Sequence, residues 1–93
     1  MINSESKLTK QVIIVNELGL HARSAAKIAK LASRSKASVW IQKGSVKADA
    51  SSILDILTLE CEKGSKITIS IENKADYDIL EAIADLVEGG FGE

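Results

Sequence analysis

Proline is absent from the 93-residue chain, and cysteine and histidine occur once each, as Cys61 and His21. A single cysteine excludes a disulfide framework and argues against a thiolate zinc site. A single histidine argues equally against a histidine-rich metal centre, so neither a metal nor a cofactor is expected. Neither sign of charge dominates: 12 Lys and Arg stand against 13 Asp and Glu, a formal net charge of −1. That balance offers no electrostatic case for nucleic acid. No apolar run approaches the roughly 20 residues of a membrane helix. Met1 to Lys7 also lacks the charged-then-apolar layout of a signal segment. Together these absences predict a cytoplasmic protein of a reducing compartment, with no membrane insertion.

The chain is 45% apolar and 27% charged, the composition of a globular protein. Its length suits a single domain that buries roughly two thirds or less of its unfolded surface, with one core and one site. Residues 1–9 are read as a frayed tail and residues 10–93 as the folded domain. With no proline, glycines punctuate the chain, falling between the periodic segments.

Val12 to Val15 is a β-branched run with polar flanks, hence a strand. From Ala22 to about Ser33, Arg23, Lys27, Lys30 and Arg34 form one polar stripe on an otherwise Ala-, Ile- and Leu-rich helix. Ala37, Val39 and Ile41 alternate with polar neighbours and Trp40, predicting a strand with one buried face and Trp40 on the open face. Lys43-Gly44 reverses the chain into a strand at Ser45–Ala48. Ser52 is the expected N-cap of a short helix reaching Leu59, with Asp55 placed to close a capping box. Ile67, Ile69 and Ile71 mark another strand. Asn73 caps the last helix, whose apolar face is Ile79, Leu80, Ile83, Leu86 and Val87; Gly89-Gly90 ends it. The order is β-α-β-β-α-β-α. The expected fold class is α+β, a two-layer sandwich with helices on one face of a mainly antiparallel four-stranded sheet.

The stretch Asn16 to Ser24 holds the chemistry. His21 lies where a strand's exit loop meets the start of a helix. The first helical turn leaves N–H groups without partners, and the macrodipole adds positive potential, so an anion is favoured there. A nucleophilic imidazole, helix N–H donors such as that of Ala22 and the Arg23 guanidinium form a minimal phosphoryl acceptor. Position alone leaves the plainer alternative open: a capping histidine beside a solvated arginine. Cys61, among acidic neighbours, reads as structural.

Leu18-Gly19-Leu20-His21-Ala22-Arg23, with Ser51-Ser52-Ile53-Leu54 and the ending Gly90-Phe91-Gly92-Glu93, resembles HPr, the histidine-containing phosphocarrier family of the phosphoenolpyruvate-dependent sugar phosphotransferase system. The resemblance runs from about Lys10 to Glu93 and implies the open-faced β-sandwich of that family. It implies that His21 is phosphorylated on Nδ1, that Arg23 steadies the phosphoryl group and that Asn16 orients the histidine. It brings the Glu93 ending near the active centre. It makes Ser52 the regulatory serine of an HPr kinase/phosphorylase. It makes Ile53, Leu54 and Leu57 an exposed patch for Enzyme I and for sugar-specific or regulatory acceptor domains, bordered by Lys27 and Lys30. A monomer is the default for this fold.

Two positions depart from the family pattern. Ser24 stands where most relatives have proline, adding a hydroxyl that would donate to the phosphoryl group or fray the turn. Asp55 stands where relatives usually have a small residue, one turn from Ser52, and would repel a phosphoserine. Both fit a specialised paralogue on a regulatory branch. The competing function is a binding module that acts through Ser52 phosphorylation and a complex with a transcription regulator; His21 and Asp55 argue against it.

Overall fold

In the computed structural model, which describes residues 8–93, the isoleucine-rich strand is the centre of the molecule. The elements are β1 (Thr9–Ile13), α1 (Ala22–Ala32), β2 (Val39–Lys43), β3 (Val46–Asp49), α2 (Ile53–Leu57), β4 (Lys66–Ile71) and α3 (Tyr77–Glu88). A 3-10 turn at Lys74–Asp76 leads into α3, and another follows it at Gly90–Gly92. The sheet order is β1-β4-β2-β3, and each adjacent pair is antiparallel. This is the expected α+β open-faced sandwich.

Register explains the two faces. Ile69 of β4 lies opposite Lys10 and Ile41, and Ile41 lies opposite Ala48. Ile69, Ile41 and Ala48 are completely buried under the helices. One residue along, Ser70 lies opposite Thr9 and Trp40 on the open face. There Trp40 is half-buried, its indole N–H donating to Glu72 at 2.8 Å and the Lys47 ammonium lying 4.8 Å from its ring centre. Ile28, Ile56, Ile83 and Phe91 complete the core from the helical side. Each such side chain contributes roughly 1.5–3 kcal/mol through burial. Asp76, also buried, accepts the N–H groups of Lys36 and Ala37 at 2.8 and 3.0 Å, tying the loop after α1 to the start of α3.

Several boundaries differ from expectation: α2 stops at Leu57 rather than Leu59, β3 is shifted one residue to Val46–Asp49, and Asn73 caps the 3-10 turn rather than α3 itself. β1 begins at Thr9 rather than Val12, because the polar residues Thr9 and Gln11 lie exposed while Val12 packs inward. Leu8 packs against the core as well and Thr9 lies in β1, so the folded part begins before Lys10; residues 1–7 of the expected tail lie outside the described residues. Ala37 precedes β2, which starts at Val39. In α2 the Ser52 hydroxyl accepts the Asp55 N–H at 3.1 Å as a cap should. The capping box is not closed, however, because the Asp55 carboxylate turns to the Asp49 N–H at 2.6 Å. Among the described residues no helix is long and apolar enough to cross a membrane.

Candidate functional site

The loop from β1 to α1 is fixed before it presents any reactive group. Gly19 has φ +63, and a Cβ there would sit 2.3 Å from the Cys61 carbonyl oxygen. Only glycine allows this approach, and it lets Leu20 N–H donate to that same oxygen at 2.9 Å. Cys61 is buried, and burial pushes its thiol pKa up, which suits the structural role read from sequence.

His21 follows as the N-cap of α1, in extended backbone conformation. Its N–H donates to Ser24 Oγ at 2.9 Å, and its Nδ1 accepts the Arg23 N–H at 3.2 Å. Its Nε2 lies 2.7 Å from Glu93 Oε2. These partners define the tautomer. An ionised carboxylate only accepts, so Nε2 carries the proton; a backbone N–H only donates, so Nδ1 keeps its lone pair. Glu93 is steadied in turn by Asn16, whose Nδ2 donates to Glu93 Oε1 at 3.0 Å and to the Gly19 carbonyl at 2.8 Å. The Asn16 and His21 hydrogen bonds hold the Glu93 carboxyl below its usual pKa, Asn16 contributing most.

Asn16 therefore touches Glu93 rather than His21, and its link to the imidazole runs through the carboxylate. Ala22 and Arg23 are exposed at the helix start, and none of the three ion pairs among the described residues uses the Arg23 guanidinium. Ser24 corrects the expectation of a phosphoryl donor or a frayed turn. It is fully buried, and its hydroxyl is engaged by the His21 N–H while donating to the Gly19 carbonyl at 3.1 Å. The hydroxyl thus stitches the turn that proline would have stiffened.

Lys30 is exposed, as a stripe residue should be. Lys27 is engaged, its Nζ donating to the Phe91 carbonyl at 2.6 Å. On α2, Ile53 is 38% exposed and Leu54 78%, whereas Leu57 is half-buried against the core. Leu57 thus belongs to the packing of α2 more than to an open patch. Leu18, part of the motif quoted from the sequence but given no role there, is 70% exposed three positions before His21. It lines a hollow of about 530 Å³ with Val15, Asn16, Glu88, Gly90 and Glu93. The signal that would have given it a role is an apolar residue in a loop next to a reactive group. Among the described residues no cluster of three or more His, Cys, Asp or Glu is placed to hold a metal ion.

The arrangement is an imidazole whose unprotonated nitrogen holds one long hydrogen bond at a helix N-terminus, its other nitrogen braced by a carboxylate. The family model described as the PTS HPr component phosphorylation site matches residues 8–89. Phosphocarrier protein NPr of Shewanella violacea is 44% identical over 88 residues, covering 95% of this chain and 97% of its own. Phosphocarrier protein HPr of Neisseria meningitidis is 34% identical over 86 residues, covering 92% and 97%. The crystal structure of HPr-C-His from Thermoanaerobacter tengcongensis superposes with a TM-score of 0.85 at 34% identity, covering 91% of this chain and 96% of that one. The chain belongs to the HPr family of phosphocarrier proteins of the phosphotransferase system.

Proposed function

We propose that His21 accepts a phosphoryl group on Nδ1 from phospho-Enzyme I and passes it to an acceptor domain, sugar-specific or regulatory. The observation that carries the reading is the division of labour on the ring: Nδ1 unprotonated toward the helix start, Nε2–H held 2.7 Å from Glu93. In the transfer step the Nδ1 lone pair forms the new N–P bond. The bond between phosphorus and the donor atom breaks, and its electron pair returns to the donor. No proton has to leave His21. The ring becomes cationic with Nε2–H in place, and the ionised Glu93 balances that charge.

Nδ1 exchanges the Arg23 N–H for phosphorus. At 3.2 Å that hydrogen bond is long and is easily given up. The released N–H and that of Ala22 then face the phosphoryl oxygens at the positive end of α1, with the Arg23 guanidinium in reach of them. Ser24 takes no part. The site is shallow, which lets two partners in turn reach one imidazole, and the bound phosphate is held only modestly, so it remains transferable.

The test is phosphorylation by phosphoenolpyruvate and Enzyme I, read by intact mass. A single acid-labile, base-stable phosphate on the wild type, lost in His21→Ala, is the expected result. No adduct on the wild type, with the same Enzyme I active on another carrier, would overturn the reading.

A further inference from the structure

The carboxylate against His21 comes from the far end of the chain, and something must hold that end in place. Glu93 follows three successive residues in the left-handed region: Gly90 at φ +67, Phe91 at +60 and Gly92 at +73. The two glycines accept this freely. Phe91 does not, and a bulky residue stays there only when surrounding contacts over-determine it.

Two contacts hold Phe91. Its ring is 1% exposed, sunk in the core. Its carbonyl oxygen, which this conformation projects outward, accepts the Lys27 ammonium of α1 at 2.6 Å, a short charge-assisted hydrogen bond. The ring fixes the position of the turn; the carbonyl fixes the plane of the peptide leading to Gly92 and Glu93. The N–H of that same peptide makes only a long bond to the Gly89 carbonyl at 3.4 Å, and the Glu93 N–H to Gly90 carbonyl bond at 3.0 Å ties the next peptide, so the short Lys27 contact is the strongest restraint on the plane itself.

From this geometry we infer that Lys27 is a positioning residue for phosphoryl transfer: by clamping the Phe91 carbonyl it holds Glu93 against His21 Nε2. The inference rests on the phosphohistidine reading above and assigns Lys27 a role inside the protein rather than on the partner surface. Lys27 also lies near enough to Glu93 to be among the charges that favour its ionised form.

A first arm of the test needs no partner. In the free protein, the His21 Nε2 chemical shift in Glu93→Ala defines the signature of the lost contact. Lys27→Met is expected to reproduce that signature, and Lys27→Arg, which keeps a cationic donor, to retain the wild-type resonance. A second arm measures single-turnover transfer from phospho-Enzyme I. Lys27→Met is expected to lower the maximal rate roughly tenfold, the scale of a displaced catalytic contact, with the half-saturating Enzyme I concentration unchanged. The double variant Lys27→Met/Glu93→Ala is expected to be no slower than Glu93→Ala alone.

A wild-type Nε2 resonance in Lys27→Met would overturn the inference. So would rate losses that multiply in the double variant, or a loss confined to Enzyme I affinity, since each marks a direct partner contact. Absence of phosphate uptake by the wild type would instead count against the phosphohistidine reading, and the Nε2 resonances would still decide the role of Lys27.

Discussion

Replacing Gly19 by alanine perturbs the active loop without touching any reacting atom. The new methyl group meets backbone: the Cys61 carbonyl oxygen at 2.3 Å and Glu62 Cα at 3.0 Å. Neither atom can swing aside as a side chain would. Alanine at φ +63 costs about 1–2 kcal/mol from backbone conformation alone. Relieving the clash pulls the loop from the segment before β4 and breaks the Leu20 N–H to Cys61 bond, about 1 kcal/mol more. The sum is about 2–3 kcal/mol, which for a domain of this size lowers Tm by on the order of 10 °C. Urea unfolding followed by circular dichroism measures it. The functional loss should exceed what unfolding explains, because the Gly19 carbonyl also accepts Asn16 Nδ2 and Ser24 Oγ. Moving it disturbs both supports of His21 at once, so phosphoryl transfer should fall even at temperatures where the variant is fully folded. A variant with less than about 0.5 kcal/mol of destabilisation and unchanged transfer would refute the claim that this contact sets the loop.

Three further outcomes follow from the same contacts. Asp76→Ala removes the acceptor of two backbone N–H groups, so unfolding should become easier by about 2–4 kcal/mol in denaturant titration, with His21 phosphorylation of the folded protein unaffected. Ser52→Ala loses the cap of α2 and should cost about 1 kcal/mol by the same measurement. The Glu93 carboxyl, held below its usual pKa by Asn16 and then His21, should titrate low by carbon NMR. Because its folded-state pKa is depressed, its contribution to stability is present above the unfolded-state value and is lost as pH falls through the folded-state value. Glu93→Gln should remove that part of the acid dependence.

Much of the fold was legible because burial imposes a period. The Ile67, Ile69, Ile71 alternation and the 3.6-residue face of α3 read directly as the central strand and a helix against it. Boundaries on the open face were less legible: Thr9 and Gln11 pay no penalty for polarity there, so the start of β1 carries no apolar signal. The location of His21 was legible too, since a β-branched run, a glycine and the start of an amphipathic helix all converge on it. What surrounds it was legible only through the family resemblance, which brought Asn16 and the Glu93 ending to it, and the Lys27 clamp was not legible at all. Glu93 and His21 are 72 positions apart and Lys27 and Phe91 64 apart, and no local pattern encodes such a meeting. Ser24 shows a subtler limit. Its hydroxyl had several chemically sensible targets, and which one it takes depends on the Gly19 carbonyl, a backbone atom whose place is set by Cys61.

Asp55 bears on Ser52 in a similar way. Read from spacing, its carboxylate was an obstacle to a phosphoserine and a candidate second half of a capping box. In the fold it is engaged by the Asp49 N–H, while Asp49 Oδ1 accepts both the N–H and the hydroxyl of Ser51 at 2.9 and 2.7 Å. The two carboxylates are therefore hydrogen-bonded into the turn from β3 into α2. The Ser52 hydroxyl is itself committed to the Asp55 N–H. A phosphate there would have to displace the cap and sit beside two anchored negative charges, with α2 only five residues long to answer it. At His21 each of these conditions is reversed: the reactive nitrogen gives up one long hydrogen bond, an eleven-residue helix presents its positive end, and the nearest carboxylate braces the opposite side of the ring. This contrast supports the proposed phosphoryl acceptance on His21 over one on Ser52.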